Sequence, residues 1–126
     1  PTEVSEKVLK AFKETFKDAK DVVWFEEGDK SYRASFMKDE IKIRVRYDEE
    51  GNLLSTIRYY GEQTLPFHIQ MKLKKKFADK GVFGVTEMSS DEMVEYHITL
   101  QDEKRWYTVK SDANGNFEVT EKFKKA

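Results

Sequence analysis

The chain has 126 residues, with 23 Lys plus Arg against 24 Asp plus Glu, and no cysteine. The balanced charge argues against a general nucleic-acid binder, which carries a basic excess, and the missing cysteine excludes disulfides, thiol catalysis and thiolate metal sites. At 38% hydrophobic and 37% charged the sequence suits a compact domain with a well-covered surface, and no stretch approaches the apolar length of a membrane span.

No secretory leader pattern is read at the start, where Pro1 runs straight into a charged amphipathic segment. Val4, Val8, Phe12 and Phe16 recur every four residues, which places them on one face of a helix. Thr2 is the expected cap. Alternating segments then predict strands over 21–27, 31–38, 41–48 and 53–60, separated by the turn sequences Glu27-Gly28-Asp29, Lys38-Asp39-Glu40 and Asp48-Glu49-Glu50-Gly51-Asn52. Gly61-Glu62-Gln63 leads into a second helix carrying Leu65, Ile69, Leu73 and Phe77, with Thr64 as its cap and Pro66 in its first turn. Lys72, Lys74, Lys75 and Lys76 fall late in that helix, against the negative end of its dipole, and read as a solvated face. Four more strands follow, over 82–88, 93–101, 104–112 and 117–124.

The two halves repeat each other. Tyr32, Phe36, Ile43, Val45, Asp48, Gly51, Asn52 and Leu53 recur 64 positions later as Tyr96, Leu100, Tyr107, Val109, Asp112, Gly115, Asn116 and Phe117. The helical residues recur at an offset of 61, so the later copy carries a small insertion after its helix. The expected fold is α+β: residues 1–126 form a single domain of two tandem repeats, 3–60 and 64–124. Each repeat is a helix followed by a four-stranded antiparallel meander. That makes eight strands in total, with the helices on one face.

Strand alternation sorts the side chains into two faces. Val22, Trp24, Tyr32, Ala34, Phe36, Ile41, Ile43, Val45, Tyr47, Leu53, Ile57 and Tyr59 form the buried face of the first repeat. Phe83, Val85, Tyr96, Ile98, Leu100, Tyr107, Val109, Phe117, Val119 and Phe123 form that of the second. The opposite face of the first repeat collects Arg33, Lys42, Arg44, Arg46 and Arg58, flanked by Phe25 and Tyr60. In the second repeat that face is mixed, with Glu95, His97, Thr99, Thr108, Lys110, Glu118, Thr120 and Lys122 around an exposed Trp106. Arginine forks suit carboxylates, so the candidate binding face is Phe25, Arg33, Lys42, Arg44, Arg46, Arg58, Tyr60 and Trp106, and its partner is anionic. Against this stands a plainer reading, in which turn carboxylates pair with the arginines and only keep the sheet soluble.

Catalytic and cofactor motifs are not found. His68 reads as a helix-surface residue and His97 as an exposed strand residue, with no nucleophile elbow, Walker loop or dinucleotide fingerprint nearby. The segments 48–52 and 112–116 lack the spacing and closing glutamate of a calcium loop and read as hairpin turns. No catalytic residue, cofactor or metal is expected.

One pattern resembles a known family: Phe16, Lys17, Ala19, Val22 and Trp24, then Tyr32, Ala34 and Phe36, then Tyr47, Asp48, Gly51 and Leu53. It is similar to the PepSY-like proteins related in fold to the β-lactamase inhibitory protein, and it covers essentially the whole chain as two copies. The second copy departs from it, with Val85 in place of Trp24 and Ile98 in place of Ala34. The resemblance implies a periplasmic or secreted protein of Gram-negative bacteria, with a signal peptide removed and an open, often concave sheet face. The expectation is a non-catalytic binding module of the cell envelope that meets a protein, a peptide or an anionic ligand. A structural or accessory domain without a specific ligand is the alternative, and an enzyme inhibitor a remote one. Nucleic acid is not an expected partner.

Overall fold

The computed structural model describes residues 3–126. Helix α1 (Glu6–Thr15) precedes β1 (Lys20–Glu26), β2 (Tyr32–Lys38), β3 (Ile41–Tyr47) and β4 (Leu53–Tyr60). A 3-10 turn at Glu62–Thr64 leads to α2 (Phe67–Lys76), followed by β5 (Gly81–Ser90), β6 (Met93–Gln101), β7 (Arg105–Asp112) and β8 (Phe117–Lys124). The strands form one eight-stranded antiparallel sheet in chain order. The chain divides into two compact units, 1–58 and 59–126.

Both expected helix caps differ from what forms. Thr2 lies outside the described residues, and Ser5 caps α1 by accepting the Val8 N–H at 3.3 Å. Thr64 belongs to the 3-10 turn, and Pro66, expected inside the helix, is itself the N-cap. Its carbonyl accepts from the N–H groups of Ile69 and Gln70, so α2 starts without a side-chain cap.

In unit 1 the four-residue spacing does what helix geometry requires. Val8 and Phe12 are buried, with Val4 and Phe16 packed beside them, against Ala34, Phe36, Ile43, Val45 and Tyr47. The Phe12 ring centroid lies 5.2 Å from Trp24 and 5.4 Å from Phe36, both edge-on, the arrangement that ring quadrupoles favour. Each large side chain buried here contributes about 1.5–3 kcal/mol. Leu53, expected in this core, is the first residue of β4 after an exposed turn and is itself exposed.

In unit 2 the core holds Leu65, Ile69 and Leu73 with Val85, Tyr96, Ile98, Leu100 and Val109. Three residues expected there lie outside it. Val82 pairs with Leu100 and Gly84 with Thr99, which leaves Phe83 as the extra residue of a β-bulge. Phe83 is consequently 65% exposed. A second bulge falls at Thr120, since Thr108 pairs with Glu121 and Val109 with Val119. It moves Phe123 opposite Trp106 and Lys122 opposite Tyr107, each onto the other face from simple alternation. Val119 keeps the expected face but sits on edge strand β8, which has a neighbour on one side only, and is exposed.

Candidate functional site

The register of unit 1 brings most of the predicted basic face together. Phe25, Arg33 and Arg46 form one row across β1, β2 and β3. Val23, Ser35 and Arg44 form the next, and Met37 with Lys42 a third. These rows lie on the face opposite Ala34, Phe36 and Val45. Exposed Val23, Phe25 and Met37 are interleaved with the cations, so the surface is apolar and basic together.

Arg33 and Arg46 face each other as like charges, a destabilising pair unless each is compensated. The β1–β2 turn supplies both partners. Arg33 Nη1 lies 3.5 Å from Glu27 and its guanidinium carbon 4.4 Å from the Phe25 ring centroid. Arg46 Nη2 donates to Asp29 at 2.5 Å and its Nε to Ser31 Oγ at 3.1 Å. The Ser31 hydroxyl also donates to Asp29, and this bond, with the Arg46 charge, holds the Asp29 carboxyl below the usual carboxylate range.

Tyr60 and Trp106 are less exposed than predicted, and Arg58, in β4, is half-buried like Arg33, Arg44 and Arg46. Tyr60, expected on the open surface, is 8% exposed and donates its hydroxyl to Glu87 at 2.8 Å. A buried phenol needs such a partner, so Tyr60 is withdrawn from any exposed contact surface. Trp106 is half-buried rather than exposed: Phe83 meets it edge-on at 5.1 Å, and Lys125 Nζ lies 4.7 Å over its ring while donating to Gln101. Phe83 and Phe123, which sequence alternation assigns to the core, thus join Trp106 on the opposite face. No local signal marks the bulges that bring them there.

His97 lies on the same face of unit 2 as Glu95 and Lys110, its Nε2 3.6 Å from Glu95. Lys110 donates to Glu95 at 2.9 Å and, foremost among its neighbours, lowers the carboxyl's pKa. His68 Nε2 is 2.9 Å from the Ala113 carbonyl, to which its N–H donates. Each histidine has a local structural partner. Among the described residues, no group of three or more His, Asp or Glu is placed to hold a metal ion.

The two Gly-Asn turns have matching internal geometry. Asp48 Oδ1 accepts from the N–H groups of Glu50 and Asn52, and Oδ2 from the Asn52 side chain. Asp112 does the same with Asn114 and Asn116. Side-chain and backbone bonds from Asn52 and Asn116 lower both carboxyl pKa values. Gly51 and Gly115 both adopt positive φ, and each turn packs on its helix.

Solved structures share this fold. A DUF2874 family protein from Bacteroides ovatus is 16% identical at a TM-score of 0.73, covering 98% of this chain and 89% of that one. A BLIP-like protein from Bacteroides fragilis is 18% identical at 0.73, covering 98% and 88%. A Bacteroides eggerthii protein provisionally called periplasmic is 18% identical at 0.70, covering 98% and 90%. No family model matches the sequence, and no curated protein matches it.

Proposed function

We propose that this chain is a non-catalytic binding module of the bacterial cell envelope that meets an anionic protein, peptide or ligand through the basic face of unit 1. The observation that carries the reading is the row structure, which sets Arg33, Lys42, Arg44 and Arg46 beside exposed Val23, Phe25 and Met37. Guanidinium forks recognise carboxylates, and the apolar neighbours add contact that water does not compete for. A periplasmic place is supported by the Bacteroides eggerthii neighbour; no helix is long and apolar enough to cross a membrane.

The same proposal takes the chain as a tandem duplication of a PepSY-like unit, repeats 3–60 and 64–124. Three matching details support it. Each unit runs from a helix into a strand meander, bulges near the start of its first strand, and docks an Asp-x-x-Gly-Asn turn on its helix.

One observation favours the accessory-domain alternative. Glu27 and Asp29 already compensate Arg33 and Arg46. A partner must therefore displace these carboxylates or engage the cations from their open side. The test is a pull-down from envelope extract, followed by binding of the recovered partner to the Arg44→Ser/Arg46→Ser double variant. Weakened binding with a reduced salt dependence is expected. Unchanged affinity and salt dependence would remove this face as the site.

A further inference from the structure

A second basic feature lies in unit 2, independent of the face just described. The cleft between the later half of α2 and the β7–β8 turn is lined by Lys72, Lys75, Lys76, Gly115, Asn116 and Phe117 and has a volume of about 510 Å³. Among the described residues, no carboxylate lines it. Lys72 Nζ donates to a neutral group, the Asn114 carbonyl, at 2.6 Å, and Lys76 Nζ lies 5.8 Å from the Phe77 ring. The nearby Asp112 carboxylate is occupied by the Asn114 and Asn116 N–H groups and the Asn116 side chain.

Unit 1 shows the same scaffold with opposite charge. At the offsets of the sequence repeat, Lys72, Lys75 and Lys76 replace Ala11, Glu14 and Thr15, and Ala113-Asn114 replaces Glu49-Glu50. At these five positions three carboxylates are lost and three ammonium groups gained, while Lys7, which pairs with Glu50 in unit 1, becomes His68. In unit 1 Glu50 closes on Lys7 at 2.6 Å, and Gly51 sits directly on the helix backbone, where an added Cβ would be 2.7 Å from Lys7 O. In unit 2 the Lys72 side chain stands between turn and helix, and an added Cβ at Gly115 would meet its Cδ at 2.8 Å. A simple solvated helix face would not need both glutamates of its facing turn replaced as well.

We infer that this cleft binds a phosphate-bearing ligand, with the adjoining apolar part of that ligand resting on Phe117. Ammonium groups bind phosphate as point charges, without the planar alignment that an arginine fork imposes. The three positive charges outweigh the partial negative charge of about half a unit at the C-terminal end of α2. Asn116 holds Asp112 with one side-chain N–H and has a second to offer. The group is a phosphate ester, either of a soluble molecule or of an anionic lipid headgroup.

The test titrates the isotope-labelled full chain with inorganic phosphate and glycerol 3-phosphate while amide signals are followed. In parallel, flotation compares phosphatidylglycerol with phosphatidylcholine vesicles. Saturable shifts at Lys72, Lys75, Gly115 and Asn116, or flotation on phosphatidylglycerol alone, are expected. The first outcome marks a soluble ester and the second a lipid headgroup. Lys75→Gln/Lys76→Gln alters exposed side chains and should melt as wild type while weakening binding about tenfold or more. Lys74→Gln removes a lysine of the same helix that faces Glu62 at 3.7 Å, outside the cleft, and should change affinity less than about twofold. The inference is overturned by silence towards every probe, by equal loss in the Lys74 variant, or by a short RNA that shifts the same amides more strongly than any phosphate ester.

Discussion

Units 1 and 2 are built on the same local plan and differ in what they do with their aromatic residues and their charge. Unit 1 gathers Phe12, Phe16, Trp24 and Phe36 into one edge-on cluster under its helix. Unit 2 instead fills its core with aliphatic Ile69, Leu73, Ile98, Leu100 and Val109, and two bulges turn Phe83 and Phe123 outward around Trp106. Unit 1 meets its helix with acidic turn residues, and unit 2 with neutral ones facing lysines. The two units thus agree in the geometry of their Gly-Asn turns and differ in surface chemistry.

The largest effect that tests this contrast is core truncation. Phe12→Ala or Phe36→Ala should cost about 3–5 kcal/mol in denaturant melts, the range for a buried aromatic. Phe83→Ala and Phe123→Ala should cost less than about 1 kcal/mol, as substitutions outside a core do. Equal losses in the two sets would put Phe83 and Phe123 back in the core, and with them the simple alternation of β5 and β8.

The paired glycines give the next largest. Alanine at either position meets left-handed backbone strain of about 1–2 kcal/mol. At Gly51 the new methyl also runs into rigid helix backbone, whereas at Gly115 it meets the mobile end of Lys72. Gly51→Ala should therefore lower stability more than Gly115→Ala, by about 1 kcal/mol. The reverse order would mean the two turns dock differently from the way described.

Acid titration should treat the units alike. Asp48 and Asp112 have lowered pKa values in the folded chain, so the stability they add is complete above the unfolded value of about 3.9. It is lost as the pH falls through the lower folded values. A chain carrying Asp48→Asn and Asp112→Asn should show a flatter loss of melting temperature below about pH 4. An unchanged profile would assign the acid sensitivity to other carboxylates.

The smallest effect is expected from the Lys7–Glu50 pair. Both side chains are mostly exposed and screened by solvent. Glu50→Gln should leave the denaturation midpoint where it is, and a clear drop would show that the charge of the turn, rather than its glycine and aspartate, holds it to α1.

Periodicity and repetition in the sequence determined the two helices, the eight strands, the turns at 48–52 and 112–116 and the core of unit 1, because regular alternation and four-residue spacing are local properties of the chain. They also placed Phe25, Arg33, Lys42, Arg44 and Arg46 on one face, since β1–β3 pair without interruption over those residues. Only the tertiary structure decided the outward turn of Phe83 and Phe123, the burial of Tyr60, the shift of the helix caps to Ser5 and Pro66, and the carboxylate partners of Arg33 and Arg46. A bulge is one extra residue in one strand relative to its neighbour, so it exists only in the pairing and reverses every side chain beyond it. Burial and ion pairing likewise depend on what a neighbouring strand or helix presents, and no single segment of chain contains that information.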